Sequence, residues 1–444
     1  PATRIAAGDF DGDGAVDLIL TTGTINLVAP DRYYRNDGRG RFADATGLGM
    51  PSDSRFTRTL HLADLDWDKD LDLLAVYGDH PVRLCLNDGR GRFTHASQKR
   101  IPFQQPTLCP VYPLAADLNC DGHVDLLMGG LHLGNGTGWF QETDPKIHPA
   151  PESALAAGDL DGDGDLDLVA STNLYLSLWK NDGKGSFNDV SSSHLPARQE
   201  LVVSVLLGDV DGDGDLDLVL DYWAIINSNR RLVVYTNDGA GCFADPAATR
   251  LLASNASGFG RTHLADLDGD EDLDVLIVET LPGSSWARLL LNDSRGNFTD
   301  VSAANLPPAA RSLSVFSIGD MDGDGDRDIL ACGWGNPAML LLNNGKAQFT
   351  IASGCGLPSG EEVRDILLAD LDGDGHRDIY LLLPTRSALL RNDGKGRFQE
   401  VFGGLPADMP RTYPIQTVDV DGAGDLDLLG FHYLAYATTF PQSI

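Results

Sequence analysis

Nine stretches of nine residues repeat one arrangement: acidic or amide side chains at the first, third and ninth positions, an aspartate at the fifth in eight of them, and usually glycine at the sixth. They are DFDGDGAVD at 9–17, DLDWDKDLD at 64–72, DLNCDGHVD at 117–125, DLDGDGDLD at 159–167 and DVDGDGDLD at 209–217. DLDGDEDLD at 266–274, DMDGDGDRD at 320–328, DLDGDGHRD at 370–378 and DVDGAGDLD at 419–427 complete the set. Carboxylates packed this closely repel one another, and without a cation some would have to hold protons. Oxygen-only donors, with glycine allowing a sharp turn, suit Ca²⁺, which takes six to eight oxygens in flexible geometry; Mg²⁺ demands a stricter octahedron.

The expected ligands follow loop by loop, with the seventh residue of each adding a backbone carbonyl. The first two loops offer Asp9, Asp11, Asp13 and Asp17, then Asp64, Asp66, Asp68 and Asp72. The third has Asp117, Asn119, Asp121 and Asp125, with Asn119 still an oxygen donor. Next come Asp159, Asp161, Asp163 and Asp167, and Asp209, Asp211, Asp213 and Asp217. Asp266, Asp268, Asp270 and Asp274 precede Asp320, Asp322, Asp324 and Asp328, then Asp370, Asp372, Asp374 and Asp378. The last loop keeps Asp419, Asp421 and Asp427 but has Ala423 at its fifth position, so it should be weakest. Lys69 and Glu271 replace the sixth-position glycine and should strain their turns. Up to nine Ca²⁺ are expected.

These ligands supply 34 of the 65 acidic residues, which explains much of the formal charge of −32. A chain with only 33 basic residues and no basic cluster has no nucleic-acid footprint. No uninterrupted apolar run of 18 residues is present, so no membrane span is expected. No basic-then-apolar leader opens the sequence, so an export signal would lie outside these 444 residues.

The loops must be held by a repeated scaffold. Their starts lie 42 to 57 residues apart, and a second motif falls between them: NDGRGRF at 36–42 and 87–93, NDGKGSF at 181–187, NDGAGCF at 237–243, NDSRGNF at 292–298, NNGKAQF at 343–349 and NDGKGRF at 392–398, with a worn copy, GNGTGWF, at 134–140. Each repeat reads as four short strands. One ends in a small residue before the acidic loop, the second follows it as LDLVA or LDLVL, the third runs into Asn-Asp-Gly, and the fourth starts at the Phe. A ring of four-stranded sheets solves the edge-strand problem. The fold class is therefore all-β, a β-propeller of four-stranded antiparallel blades. Eight repeats are complete and the ninth is incomplete, giving eight or nine blades in a single domain spanning 1–444, with repeats starting near 1, 56, 109, 151, 201, 258, 312, 362 and 411. Small residues such as Gly8, Ala63, Gly158 and Gly208 fit an innermost strand crowded near the axis.

Loop and hairpin together, DxDGDGxxDLxL followed by NDGxGxF, resemble the FG-GAP/VCBS repeat family, including the propeller head of integrin α chains. NDGKGSFNDVSSSHLP at 181–196 and NDSRGNFTDVSAANLP at 292–307 are similar to the bacterial ASPIC/UnbV-associated form. The resemblance implies a propeller, bound calcium, and an extracellular, periplasmic or cell-surface setting where millimolar calcium can fill modest sites. It does not imply one activity.

Strand parity puts the acidic loops and the NDG turns on one face of the disc and the more varied connections on the other. Aromatic and arginine residues gather in those varied connections, among them Trp223, Arg230, Trp286, Arg288 and Trp334. A protein or glycan partner is expected there, with the ring acting as an adhesion module or as a subunit of a larger surface assembly. The alternative is a secreted polysaccharide lyase-like enzyme, with Arg58 and His61, and Arg261 and His263, near the channel mouth. No nucleophile-base, P-loop or dinucleotide signature accompanies them. Cys332 with Cys355 and Cys109 with Cys120 are near enough in sequence to bridge, against buried free thiols. Sequons at Asn135, Asn255, Asn292 and Asn297 matter only in a glycosylating host.

Overall fold

The computed structural model describes the chain apart from residues 1, 25–26, 29–30, 40, 49, 51–56, 78–81, 97–99, 102–113, 129, 145–154, 173–174, 197–200, 225–228, 246–249, 255–261, 282–283, 313–314, 334–335, 364, 371, 373, 384–385, 403–415, 419–426 and 430–444. Among the described residues, each of the first eight repeats folds into its own four-stranded antiparallel path, two of them with one extra short strand. In the fourth blade the strands are Leu155–Gly158, Asp167–Thr172, Tyr175–Lys180 and Asn188–Asp189. Gly158 pairs with Asp167, and Lys180 with Asn188, so the acidic loop and the NDG turn emerge at the same end of the sheet.

Alternate residues on each strand point to opposite faces, and both faces are apolar because each is covered by a neighbouring blade. Ile19 and Tyr33 of the first blade pack with Leu73 and Cys85 of the second, while Leu18 and Tyr34 pack with Tyr380 and Leu389 of the eighth. The ring therefore closes blade eight directly on blade one. No strand is exchanged at that seam: each described blade is built from consecutive strands of one repeat. The Arg391 side chain crosses it to donate to the Arg39 carbonyl (3.2 Å). The ninth repeat adds a hairpin, Gln416–Val418 with Asp427–Leu429, against the innermost strands of the first and eighth blades. Eight blades plus a remainder is the outcome.

The small residues that end the inner strands leave room for the neighbouring blade. A Cβ on Gly158 would meet Leu207 and Leu216 of the next blade at 2.8 and 2.9 Å, and one on Gly208 would meet Leu273 at 2.6 Å. Cys85, Cys120, Cys242, Cys332 and Cys355 form no disulfide among the described residues, and Cys109 lies outside them. Of the two readings left open for Cys332 and Cys355, the bridge is not formed; both thiols are buried in the apolar seam between the seventh and eighth blades. Among the described residues no helix is long and apolar enough to cross a membrane.

Candidate metal centres

Each acidic loop is assembled from its first carboxylate. Asp9 Oδ1 accepts the N–H groups of Gly12 (2.8 Å) and Asp13 (3.2 Å), and its Oδ2 accepts that of Gly14 (2.8 Å). The same pattern recurs at Asp159, Asp209, Asp266 and Asp320. The fifth-position carboxylate accepts the seventh residue's N–H, as from Asp165 to Asp163 at 3.0 Å. Holding the chain this tightly forces positive φ at the fourth and sixth positions. Lys69 and Glu271 adopt φ 75° where glycine was expected, and their N–H groups still reach Asp64 (2.9 Å) and Asp266 (3.1 Å).

The ninth-position carboxylate is a buried strut. Asp217 takes the N–H of Val210 on Oδ2 (2.9 Å) and that of Asn237 on Oδ1 (2.8 Å), tying loop to turn. Burial, partly offset by such hydrogen bonds, raises Asp17, Asp125, Asp167, Asp217 and Asp328 to about 6, and Asp72 and Asp274 to about 7.

The third-position carboxylate is left wanting. Oδ1 of Asp11, Asp66, Asp161, Asp211, Asp268, Asp322 and Asp372 is buried and receives no hydrogen bond. Burial and the adjacent fifth-position carboxylate push Asp66 and Asp268 up to about 6. Asp9, Asp11 and Asp13 bring oxygens within 4.8 Å of one another, as do Asp64, Asp66 and Asp72; Asp159, Asp161 and Asp167; Asp209, Asp211 and Asp213; and Asp266, Asp268 and Asp274. Five convergent all-oxygen sets, and seven loops with a buried acceptor that receives no hydrogen bond, fit a hard divalent cation.

Two loops depart. Asn119 turns inward: its Nδ2 donates to Asp121 (3.1 Å) and its Oδ1 accepts the Asp121 N–H (3.1 Å), so this loop satisfies itself. Asp419 and Asp421 lie outside the described residues, and Asp427 pairs with Val418 in the ninth hairpin. In three other loops a basic side chain meets the third carboxylate: Arg35 on Asp11, Lys180 on Asp161 (2.8 Å) and Arg391 on Asp372. Lys180 also donates to the Ala240 carbonyl of the next blade (2.5 Å).

Sequence reasoning credited Asn-Asp-Gly to hairpin geometry and missed the task of the asparagine. Glycines of the turn, such as Gly38 and Gly239, do hold positive φ. The asparagine instead joins two blades. Asn237 Nδ2 donates to the Leu160 carbonyl of the preceding blade's loop (2.8 Å) and to Leu216 of its own (3.1 Å). Asn87, Asn181, Asn292, Asn343 and Asn392 repeat this clasp. The preceding blade's acceptor is always the loop's second residue, whose own side chain is buried in the seam: Phe10, Leu118, Leu160, Val210, Leu267 and Met321. The signal was present, since Asn292 and Asn343 persist where the rest of the motif has drifted to NDS and NNG.

On the other face, Trp223 and Arg230 are register partners in paired strands rather than in a connection, and their side chains lie outside the described residues. Trp286 likewise pairs with Glu279 within extended strands and is 43% exposed. Arg288 is held by Glu279 (3.2 Å) and Asp300 (2.6 Å), so its charge is already matched. Trp334 and Arg261 lie outside the described residues, as does the Arg58 side chain. His61 is buried, which pulls it down to about 4, and His263 is half-buried.

The pattern described as FG-GAP-like repeat matches residues 9–75, 64–128, 159–220, 266–331, 320–381 and 370–430. No curated protein matches the chain. Among solved structures, an Agrocybe aegerita lectin described as recognising non-reducing terminal N-acetylglucosamine is 17% identical, with 89% of this chain and 88% of that one covered and a TM-score of 0.45. The Photorhabdus luminescens Tc holotoxin pore is 15% identical over 87% of this chain and 19% of that one, with a TM-score of 0.32. The extracellular domain of a two-component system from B. thetaiotaomicron is 12% identical over 91% of this chain and 66% of that one, with a TM-score of 0.28.

Proposed function

The chain belongs to the FG-GAP-like repeat family, and from that premise we propose that it is an extracytoplasmic, calcium-stabilised propeller that serves as a binding or assembly scaffold. The observation that carries the calcium reading is the buried, donor-less Oδ1 at the third position of seven loops. A bound Ca²⁺ would satisfy that oxygen and relieve the repulsion of its neighbours, whereas an apo loop must retain protons to do so. Extracytoplasmic calcium, being millimolar, would fill loops of modest affinity. Metal counting by mass spectrometry on native protein tests this: Asp161→Ala should remove one ion, and a parent protein without calcium would end the reading.

The three basic side chains set a rank among the sites. A cation already resting on Asp161 must be displaced before Ca²⁺ can use that carboxylate fully. Lys180→Met should therefore tighten calcium binding at this loop several-fold by calorimetric titration. Unchanged or weaker binding would show that Lys180 swings away at no cost.

The partner is a protein or glycan engaged on the face opposite the metal loops. Its support is chemical: those connections vary from repeat to repeat, and Trp286 presents an exposed indole beside a fixed arginine. Binding screened on an immobilised glycan array, with and without calcium, would identify a ligand. Trp286→Ala should then weaken it by about 1 kcal/mol or more while leaving the melting temperature unchanged. Lys184→Ala, in an NDG turn, should leave binding alone; the reverse result would move the partner to the metal-loop face.

A further inference from the structure

We propose that the metal-loop face carries, over the junction of the second and third blades, a binding site for a neutral sugar, with the indoles of Trp67 and Trp139 as its stacking surfaces. The repeat supplies its own comparison. At the fourth loop position Gly12, Gly162, Gly212, Gly269 and Gly323 all hold positive φ. Trp67 and Cys120 adopt the same conformation, at φ 61° and 57°, although a Cβ disfavours it, and Trp67 leaves its indole 63% exposed. At the sixth turn position, where Arg92, Ser186, Asn297 and Gln348 stand elsewhere, Trp139 is 44% exposed. The clasp asparagine of this same turn is replaced by Gly134. Three departures from the repeat meet at one junction.

The side chains form one continuous surface. The Trp67 and His123 rings meet edge to face, with centroids 4.6 Å apart. His123 covers Gly136 of the turn so closely that a Cβ there would lie 2.4 Å from the ring. Arg100 donates to the Thr137 carbonyl (3.2 Å) and lies 5.6 Å from the centre of the Trp139 ring. His123 and Arg100 cover only part of these two indoles, and the surface that stays exposed fits contact with a ligand. Flat indole faces suit the C–H face of a pyranose, and Asp66, His123 and Arg100 offer acceptors and donors to its hydroxyls. An acidic polymer is opposed by the loop carboxylates and by a net charge of −32.

Native affinity electrophoresis tests the site, using gels that contain mannan, galactan or hydroxyethyl cellulose, and polygalacturonate as the acidic comparison. The parent should be retarded by at least one neutral polymer. Trp67→Gly and Trp139→Ser should each weaken that retardation at least tenfold. Both install residues that other repeats already use, so folding should be retained. Trp286→Ala should leave the retardation intact, which separates this site from the one proposed on the opposite face. Absence of retardation in every neutral gel, retardation by polygalacturonate alone, or retardation undiminished in both variants overturns the proposal.

Discussion

Transferring the protein from millimolar calcium to EDTA at pH 7.5 should lower its melting temperature by on the order of 10 °C. The expectation follows from occupancy: a ligand at 100 times its Kd stabilises the folded state by about 2.7 kcal/mol per site, and seven loops keep all four carboxylates together with a buried, unsatisfied Oδ1. The pH dependence has a definite sign. Without metal, Asp17, Asp167 and Asp217 sit at about 6 and Asp72 and Asp274 at about 7, all above the unfolded value near 3.9. The folded apo protein thus holds more protons than the unfolded chain. That contribution is complete below the unfolded value and is lost as pH rises through about 6 to 7. In EDTA the melting temperature should therefore fall between pH 4 and pH 7. The gain from calcium should grow over the same interval, because the cation replaces the protons. Calorimetric melts at pH 5 and 7.5, with and without EDTA, decide the matter. A calcium increment of equal size at both pH values would mean that the strut carboxylates are not part of the metal linkage.

Asn237→Ala should cost about 2 to 4 kcal/mol, an unusually large effect for one amide. It leaves the carbonyls of Leu160 and Leu216 without their donor in a buried seam, and each orphaned group costs about 1 to 3 kcal/mol. Asn237→Asp should be worse, since it sets a carboxylate against two carbonyl oxygens. Urea unfolding midpoints with m held constant measure both. A cost below about 0.5 kcal/mol for the alanine variant would show that water takes over the clasp. Installing asparagine at Gly134 should not strengthen the third blade, because a Cβ there would approach the Val124 carbonyl to 2.1 Å.

Whatever depends on neighbours in sequence was legible. The aspartate spacing, the glycines at positive φ and the four strands of each repeat are local patterns, and they led to the ring and to the carboxylate clusters. The features that escaped are contacts between blades. The clasp joins Asn87 to Phe10, 77 positions away, and Asn292 to Val210, 82 away. Gly158 is small for the sake of Leu207 and Leu216, which belong to another repeat. Neither partner follows from the residues flanking its counterpart. The connections opposite the loops were harder to place for another reason: paired strands continue through Trp223 and Trp286, where a loop was expected.

The loops at 9, 64, 159, 209, 266 and 320 place their first and third carboxylates on either side of a residue that plugs the seam. Metal binding and blade packing therefore share one short segment. Asp159 and Asp161 flank Leu160, which lies in the core between the fourth and fifth blades and accepts the Asn237 clasp through its carbonyl. An empty loop should accordingly loosen the joint beyond it, and hydrogen exchange at residues 237–243 should report the occupancy of the loop at 159–167.

The seam between the eighth and first blades is built from the same parts, but among the described residues no strand of one blade continues into the other, and only the ninth hairpin touches both inner strands. Leu18 and Tyr34 meet Tyr380 and Leu389 there, and Arg391 reaches the Arg39 carbonyl. Ala2 opens the first blade and Glu400 ends the last strand of the eighth. A pulling force applied between those two points would load this joint across its full width, while the other seven are spanned by continuous chain. In a tethered molecule the ring should part there first, as a mechanical fuse that opens before any single blade is drawn out.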